Sequence, residues 1–488
     1  MSIDAVILAT LLGAASTRAA ATTTATTTAT TAAATAATAV SHAAPPIARD
    51  ALPAELAHLT DEEVARIARM SPLPAVPADP SNRFAESEAA AEFGHALFFE
   101  TRLSPKGVSC ATCHDPARYF TDGKPLSVGI GTARRNAPTV VDAARRRWNG
   151  WDGKFDSLWS QALSPIEHPD EMGGDRVAML RLVRDDTSLR AAYERAFGPF
   201  PAALARGGGD PLAPGDSRDP APEGAQDLAP KGAQNPAPKG AQDPAPTTAR
   251  DTHAQRLIDA TTAQVLKALG AYQRRLVSST APIDAFIEAL GSRGERGSLD
   301  ALEPAARRGL ATFVSTGGCY QCHRGPSFTD EEFHALGLTG ANGRVPDDPA
   351  RLAAVDFVQA NPFNAAGAFS DARESSKASM VRGLRRSGEL FGQFRTPALR
   401  GVVLTAPFMH DGRFATLDDV IHFYDTLEGA SPVGHHGEMV LEPLGLGEQG
   451  RADLVAFLRS LSPNLADLGK WANPPVPPVR TAPEPTER

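Results

Sequence analysis

Apolar residues recur at helical spacing in several parts of this chain. An early stripe runs through residues 56–68, a longer one through residues 257–272, and a late one holds Leu454, Leu458 and Leu461. Residues three or four positions apart share one face of a helix, so each stripe predicts an amphipathic helix. Aromatic residues make up only 6% of the chain, which disfavours a large β-sandwich. We therefore predict a mostly α fold with few short strands.

Two of these helices have a recognisable start. Thr60 precedes the first stripe and Glu63 follows three residues later, which is the spacing of a capping box. Thr416 and Asp419 repeat that spacing before a second amphipathic run. The apolar face of that run would carry Leu417, Val420, Ile421 and Tyr424. Tyr424 is thus predicted to point into the protein.

Composition separates folded from unfolded segments. Residues 6–15 resemble the apolar part of a secretory signal, although Asp4 is atypical there. Ala and Thr dominate residues 16–46, and an eight-residue Pro, Gly and Ala pattern recurs within residues 206–250; neither segment can build a core. We predict a leader at residues 1–50, a first domain at 51–205 and a disordered insertion at 206–250. A helical connection at 251–297, a second domain at 298–472 and a Pro-rich tail at 473–488 would follow.

Charge and hydropathy exclude two classes of function. The 488-residue chain has a net charge of −8 and is 42% hydrophobic. Binding to the phosphate backbone of a nucleic acid requires clustered positive charge, which an acidic chain lacks, so no nucleic-acid partner is expected. After the first 15 residues no apolar run approaches the ~20 residues of a transmembrane helix. We expect no membrane span in the mature protein.

All four cysteines lie in two Cys-x-x-Cys-His motifs. The first motif is Cys110, Cys113 and His114; the second is Cys319, Cys322 and His323. Two thiols at this spacing can reach both vinyl groups of one porphyrin, and the adjacent histidine is then an axial iron ligand. Zinc sites, redox cysteine pairs and chance are alternatives, but each pair carries its own histidine and no cysteine is left over. The motifs therefore indicate two covalently bound hemes c, each in its own cytochrome c-like domain, and a periplasmic location.

Sequence around the motifs narrows the function further. Between them lie Gly-Ile-Gly at 129–131, Arg-Asn-Ala-Pro-Thr at 135–139, Trp-Asp-Gly-Lys at 151–154 and Pro-Ile-Glu-His-Pro-Asp-Glu-Met-Gly at 165–173. After the second come Phe-Arg-Thr-Pro-Ala-Leu-Arg at 394–400 and Thr-Ala-Pro-Phe-Met-His-Asp-Gly at 405–412. The chain resembles the bacterial diheme cytochrome c peroxidases and the related MauG-type enzymes over residues 85–200 and 255–465.

This resemblance implies roles for particular residues. His114 would be the proximal ligand of the peroxide-reacting heme, and His323 that of the electron-relay heme. Gln161, Pro165 and Glu171 match distal-pocket positions, and Trp151 matches the tryptophan between the two hemes. Calcium would bind between the domains at Asn136, Thr405 and Pro407. Oxygen-only ligation of this kind suits Ca²⁺.

Glu171 is the candidate general acid and base. Cleavage of bound peroxide needs a proton moved from its inner to its outer oxygen, which a confined carboxylate can do. Glu167 and Asp170 are neighbouring carboxylates that could serve instead, and Glu171 could be a simple cap or surface group. Gln161 could likewise be an ordinary buried amide, and Trp151 an ordinary core aromatic.

Two positions depart from the well-studied peroxidases of that family. Ile130 stands where they carry a histidine that blocks the peroxide-reacting iron, and an alkyl side chain cannot ligate iron. Tyr424 stands where they carry a methionine ligand of the second heme, and MauG-type enzymes have tyrosine there. An anionic phenolate stabilises ferric and higher iron. Met409, His422 or a structural role for Tyr424 are the alternatives.

Three functions are compatible with these residues. The favoured one is a periplasmic MauG-type peroxidase that reduces hydrogen peroxide without prior reduction. Its partner would be a small electron-donor protein such as a cytochrome c or a cupredoxin. The others are a MauG-like oxidase that modifies a protein substrate, and a diheme electron-transfer cytochrome without catalysis. A carrier would have both irons six-coordinate, and the sequence offers no good sixth ligand for the first heme.

Overall fold

The computed structural model describes residues 46–205, 211–212, 249–340, 343, 346–431 and 441–475. The predicted leader up to residue 45, nearly all of the 206–250 insertion and the tail from residue 476 lie outside the described residues. Helices dominate, together with several short 3-10 turns. The α-helices of the described part are α1 Asp61–Ala68, α2 Glu88–Phe98, α3 Cys110–Cys113, α4 Leu158–Gln161, α5 Leu163–Glu167, α6 Arg176–Asp185, α7 Thr187–Phe197, α8 Ala249–Gln273, α9 Pro282–Gly291, α10 Pro304–Val314, α11 Arg351–Ala360, α12 Ser376–Gly383, α13 Leu417–Thr426 and α14 Gly447–Arg459.

Regular strand structure in the described residues is limited to one short antiparallel pair. Strands β1 Phe333–His334 and β2 Phe394–Arg395 pair with Phe333 opposite Arg395. The prediction of a mostly helical fold with few strands is confirmed. Within the described ranges no helix is both long and apolar enough to cross a membrane.

Two large apolar cores organise these helices. The first contains the apolar faces of α2, α6, α7 and α8, and the second those of α1, α9, α10, α13 and α14. Each core contains two helices whose backbones touch through a glycine. A Cβ atom at Gly94 would lie 2.0 Å from the Ala268 carbonyl oxygen, and one at Gly309 would lie 2.0 Å from the Asp453 carbonyl oxygen. Glycine therefore sets the closest approach of α2 to α8 and of α10 to α14.

Both ends of the folded chain cross from one core to the other. Leu56, Leu59 and the α1 residues Val64 and Ile67 precede the first core in sequence but pack in the second. Near the other end, Leu468 packs in the first core. The two cores are thus interleaved in sequence, and the predicted domain boundaries stay predictions.

Candidate functional site

The first Cys-x-x-Cys-His motif forms one helical turn, α3, that presents its histidine in a defined orientation. The Ser109 backbone amide donates to the Thr112 hydroxyl at 3.0 Å and fixes the start of the turn. His114 Nδ1 donates to the Phe120 carbonyl oxygen at 3.1 Å. Phe120 reaches that position with a φ of 58°, in the left-handed region. Because Nδ1 carries the proton, Nε2 keeps the lone pair that a metal ion needs.

The second motif repeats this arrangement. His323 Nδ1 donates to the Phe328 carbonyl oxygen at 2.9 Å, and Phe328 has a φ of 53°. Burial lowers the pKa of both His114 and His323, so each ring is neutral at physiological pH. A neutral imidazole with a fixed tautomer is the form that ligates iron. Both histidines therefore fit the axial-ligand role that the sequence assigned to them.

The cysteines do not have the electrostatics of a redox pair. Burial raises the pKa of Cys110 to about 12 and that of Cys113 to about 11, and the nearby Glu171 carboxylate adds to both shifts. Burial also raises the pKa of Cys319 to about 12. Reactive Cys-x-x-Cys pairs have lowered pKa values instead. The thiols thus fit attachment to a porphyrin better than disulfide exchange.

A zinc site at the second motif is also a poor fit. Cys322, Asp330 and His334 have ligand atoms within 4.8 Å of one another. Asp330 already accepts a hydrogen bond from His334 Nε2 at 3.0 Å. Three ligands fall short of the four that close a structural zinc site. The motif histidine His323, moreover, is not one of them.

Two residues that were predicted for the distal pocket of the first heme have free polar groups. Gln161 ends α4, and Glu171 lies in the loop after α5. Both are partly buried, and neither side chain makes a hydrogen bond or salt bridge with another described residue. Glu171 is near Cys110 and Cys113, since its charge affects both thiols. A carboxylate held beside the motif without a protein partner remains available for proton transfer.

Neighbouring carboxylates are placed differently. Both Glu167 carboxylate oxygens accept bonds from Arg176, at 2.7 and 3.0 Å, and Arg176 also pairs with Asp259 at 3.0 Å. Asp170 packs its side chain against Gly131. Of the three carboxylates that the sequence left open, Glu167 is thus committed to an ion pair. Glu171 remains the best candidate for acid and base chemistry.

At the second motif, Tyr424 lies near both motif cysteines. It lies on α13, and Thr416 and Asp419 form the predicted capping box at the start of this helix. Burial raises the pKa of Tyr424, and the nearby Cys319 and Cys322 add to the shift. In the described part of the chain, no group hydrogen-bonds its phenol oxygen. The phenol is therefore neutral unless a cation such as ferric iron binds it.

Of the rival ligands, His422 faces away from the motif. Its side chain is 48% exposed and lies 3.9 Å from Glu428. Met409 precedes His410, whose ring stacks on Phe394 with 3.8 Å between ring centroids. Met409 itself adopts a φ of 72° in the loop between the two cores. Tyr424 is thus better placed than His422 to approach the second heme.

Trp151 lies where the two halves meet. Its indole Nε1 donates to the Asn136 carbonyl oxygen at 2.8 Å, and its own carbonyl oxygen accepts from the Arg395 amide at 2.8 Å. Beside it, Arg135 donates twice to Asp348 at 2.8 Å and once to Asp152 at 2.6 Å. This buried ion network lies beside Trp151. It joins Arg135 and Asp152, which follow the first motif, to Asp348, which follows the second.

One predicted calcium residue, Asn136, contacts the loop that carries the other two. The Asn136 amide donates to the His410 carbonyl oxygen at 2.7 Å, which joins Asn136 to the 405–410 loop. Asn136 Nδ2 donates to Lys124, leaving its Oδ1 free. The carbonyl oxygens of Thr405 and Pro407 also accept no bond from a described residue. Three uncommitted oxygens fit a hard cation.

The junction also has an unused donor. Arg395 is buried, and its Nη1 reaches Glu331 at 3.3 Å and the Thr396 carbonyl oxygen at 3.0 Å. Its Nε has no acceptor among the described residues. A buried donor without an acceptor is costly. A carboxylate of a bound porphyrin would satisfy it, so the residues present fit a heme here.

An internal duplication relates the two sites and was missed in the sequence. Trp151-Asp152-Gly153 corresponds to His410-Asp411-Gly412, and a proline lies 13 residues before each, at Pro138 and Pro397. Each segment closes through the same isolated antiparallel bridge: Asn149 with Phe155, and Phe408 with Phe414. A Phe-Thr-Asp triplet also follows each motif, at 120–122 and 328–330. That triplet supplies the Phe120 and Phe328 carbonyls, so it was the available signal for these histidine partners.

The duplication gives a precise comparison of the distal helices. Ser157 and Thr416 each lie six residues after the matching Trp151 and His410, and each caps a helix. Counting eight residues further reaches Pro165 in the first half and Tyr424 in the second. The equivalent position thus carries a phenol oxygen that could bind iron in one half, and a proline that could not in the other.

Comparisons with known proteins agree with this geometry. The family model described as di-haem cytochrome c peroxidase matches residues 88–213. A cytochrome-c peroxidase, IdrP1, of Denitromonas iodatirespirans is 30% identical over 403 residues, which cover 82% of this chain and 87% of the relative. The chain belongs to the di-haem cytochrome c peroxidase family. This confirms the predicted resemblance and the prediction of a heme-dependent oxidoreductase.

Other members of the family are similar over most of their length. The methylamine utilization protein MauG of Methylorubrum extorquens is 29% identical, over 75% of this chain and 76% of its own. Among solved structures, the diheme peroxidase BthA from Burkholderia thailandensis superposes with a TM-score of 0.52 at 22% identity, covering 81% of this chain and 92% of that one. At that identity the structural likeness supports the fold alone.

Proposed function

We propose that this protein is a periplasmic diheme c-type peroxidase of MauG type, which reduces hydrogen peroxide without prior reduction. Cys110 and Cys113 would attach the first heme, with His114 as its axial ligand. Cys319, Cys322 and His323 would hold the second. When bound, the first heme would supply the iron at which the oxygen–oxygen bond of peroxide is broken.

The observation that carries this proposal is the asymmetry between the two distal sides. The first half has Pro165 at the position equivalent to Tyr424, and Ile130 in the nearby loop cannot ligate iron. Gln161 and Glu171 have free polar groups there. A site built for catalysis needs an open coordination position, whereas a carrier would close both.

Glu171 performs the proton transfer in this proposal. It would take the proton from one oxygen of hydrogen peroxide and deliver it to the other, which can then leave as water. In the overall reaction, hydrogen peroxide, two electrons and two protons give two waters. Gln161 donates a hydrogen bond through its side-chain amide and orients the peroxide.

Trp151 connects the two halves in the proposed electron path. Its ring is held by the Nε1 bond to the Asn136 carbonyl oxygen, and its backbone is held by the bond from the Arg395 amide. A rigid aromatic ring between two redox centres shortens the longest electron step. Calcium bound to Asn136, Thr405 and Pro407 would stabilise the same junction. A small cytochrome c or cupredoxin would supply the electrons.

Tyr424 favours a second candidate, a MauG-like oxidase that modifies a protein partner. A phenolate ligand stabilises high oxidation states of iron, so oxidising equivalents would persist long enough to reach a large substrate. The two candidates share the peroxide chemistry and differ only in the source of the electrons.

Electron paramagnetic resonance of the resting ferric protein tests the proposal. We expect one high-spin and one low-spin heme, and a rapid reaction with hydrogen peroxide in stopped-flow experiments without added reductant. Two low-spin signals of equal weight would instead identify an electron carrier. Periplasmic fractionation and mass spectrometry of the mature chain test the location and the covalent attachment.

A further inference from the structure

A short loop rich in glycine lies next to the first motif. We call residues 127–132 the glycine loop. It closes on itself through the Gly129 amide, which donates to the Gly131 carbonyl oxygen at 3.0 Å, and through a bridge between Val128 and Thr132. It follows the first motif along the chain, with the Val128 carbonyl oxygen 4.0 Å from Cys113 Sγ.

Two backbone bonds join the glycine loop to the Glu171 segment. The Ile130 amide donates to the Glu171 carbonyl oxygen at 2.9 Å, and the Gly131 amide donates to the Asp170 carbonyl oxygen at 2.8 Å. Hydrogen bonds to two successive residues fix both the position of a segment and its rotation about its own axis. The side-chain direction of Glu171 is therefore coupled to this loop.

The contact is too close for any residue but glycine. A Cβ atom at Gly129 would lie 2.2 Å from the Glu171 carbonyl oxygen, and one at Gly131 would lie 2.6 Å from Asp170 Oδ1. Neither glycine has a positive φ. Space rather than backbone conformation thus demands glycine at position 129, where the neighbour is backbone. At position 131 the neighbour is the Asp170 side chain, which can shift.

The Glu171 segment is held from its other side as well. The Glu171 amide donates to the His168 carbonyl oxygen at 3.1 Å, and the Gly173 amide donates to the same oxygen at 2.9 Å. The Ile130 side chain reaches over Gly173, where a Cβ would meet Ile130 Cδ1 at 2.7 Å. The carboxylate is therefore the part of Glu171 that stays free while its backbone is fixed from two directions.

We infer that the glycine loop is a positioning device for Glu171, with Gly129 and the Ile130 amide as its essential contacts. This inference rests on the proposed role of Glu171 as the proton-transfer group. The loop does not touch peroxide. It sets where the carboxylate stands, and so how well the proton is transferred.

The test substitutes Gly129→Ala in the heme-loaded protein. The new methyl group forces the Glu171 carbonyl to move from 2.2 Å to at least 3.0 Å, a shift of about 0.8 Å. Misplacement by about 1 Å costs on the order of 10²-fold in rate, so we expect a loss of that size in the peroxide reaction. Gly388→Ala is the matched control, because a Cβ there meets nothing within 4 Å and its φ is not positive.

A double-mutant cycle separates positioning from a general structural effect. In a Glu171→Gln background, Gly129→Ala should cause almost no further loss, because the group that it misplaces is already disabled. An equal loss in both backgrounds would overturn the inference. If Glu171→Gln alone is as fast as the parent protein, the proposed function of Glu171 fails instead.

Hydrogen exchange gives a readout that does not depend on turnover. Amides of residues 168–173 should exchange faster in Gly129→Ala and at the parent rate in Gly388→Ala. Unchanged exchange in Gly129→Ala would count against the inference. If Gly129→Ala does not fold, Gly131→Ala replaces it, since its methyl meets the movable Asp170 carboxylate; a smaller loss, again absent in Glu171→Gln, is then expected.

Discussion

Glu171 and Glu167 are close in sequence but differ in their contacts. We therefore predict opposite effects of their substitution on peroxide turnover and on stability. Glu171→Gln removes a carboxylate that has no protein partner among the described residues. Its effect on the free energy of unfolding should stay within about 0.5 kcal/mol, as for other substitutions that break no contact. Loss of a general acid and base typically costs 10² to 10⁴ in rate. We therefore expect peroxide turnover to fall by about 10²-fold or more with stability unchanged.

Glu167→Gln should do the reverse. Its two bonds to Arg176, at 2.7 and 3.0 Å, join side chains that are 18% and 23% exposed. Hydrogen bonds to charged groups contribute about 1.5 to 3 kcal/mol. The lower end applies because Arg176 keeps Asp259 and the amide still accepts one bond. We expect a loss of about 1.5 kcal/mol in stability and an unchanged peroxide rate.

Stopped-flow mixing with peroxide and guanidinium denaturation measure the two effects on the same preparations. Heme content, measured from absorbance, confirms that both variants carry both groups. If Glu167→Gln is the slow variant, the proton-transfer group has been misassigned. If both variants are slow and unstable, the contacts described for this loop do not explain its chemistry.

Three further substitutions or treatments have definite expected outcomes. Tyr424→Phe keeps the ring and removes the oxygen, so the low-spin heme spectrum should change and its reduction potential should rise; an unchanged spectrum and potential would return Tyr424 to a packing role. Asp284→Ala strands Arg400, which bonds to Asp284 at 2.7 and 2.8 Å with both side chains under 10% exposed, and should cost about 3 to 5 kcal/mol in denaturation experiments. Burial opposes ionisation of Asp284, but Arg400 outweighs burial and lowers the pKa of Asp284. The ion pair therefore stabilises the fold fully above the ordinary carboxyl pKa of about 3.9, and this stabilisation is lost as the pH falls through the lowered pKa. A calcium chelator should slow electron transfer between the hemes and leave their covalent attachment intact, as measured by kinetics and mass spectrometry; full activity after chelation would exclude a role for Asn136 as ligand.

Local features of this fold could be predicted from the sequence. The capping boxes at Thr60 and Thr416 form as expected, because they depend on residues three positions apart. The apolar stripe at 257–272 lies within α8, which runs from Ala249 to Gln273. The pairing of each motif histidine with a following carbonyl was not predicted, although the repeated Phe-Thr-Asp triplet was visible.

Long-range contacts were beyond sequence reasoning. Nothing in the sequence near Glu167 indicates that Arg176 bridges it to Asp259, since Asp259 lies on α8. The duplication was hidden for a related reason. Pro138 follows His114 by 24 residues, whereas Pro397 follows His323 by 74. Most of that extra length lies between β1 and β2, so equal spacing resumes only after it.

The exchange of chain ends between the two cores has a consequence for how this molecule can be divided. Leu56, Leu59 and α1 pack in the second core. A cut between residues 205 and 249 would leave them on the N-terminal fragment, which lacks the rest of that core. The same cut would take Leu468 away from the first core. Neither fragment would then bury its full complement of apolar surface. Each half therefore depends on the other for part of its apolar core. The relative position of the two motifs is thus a property of the intact chain.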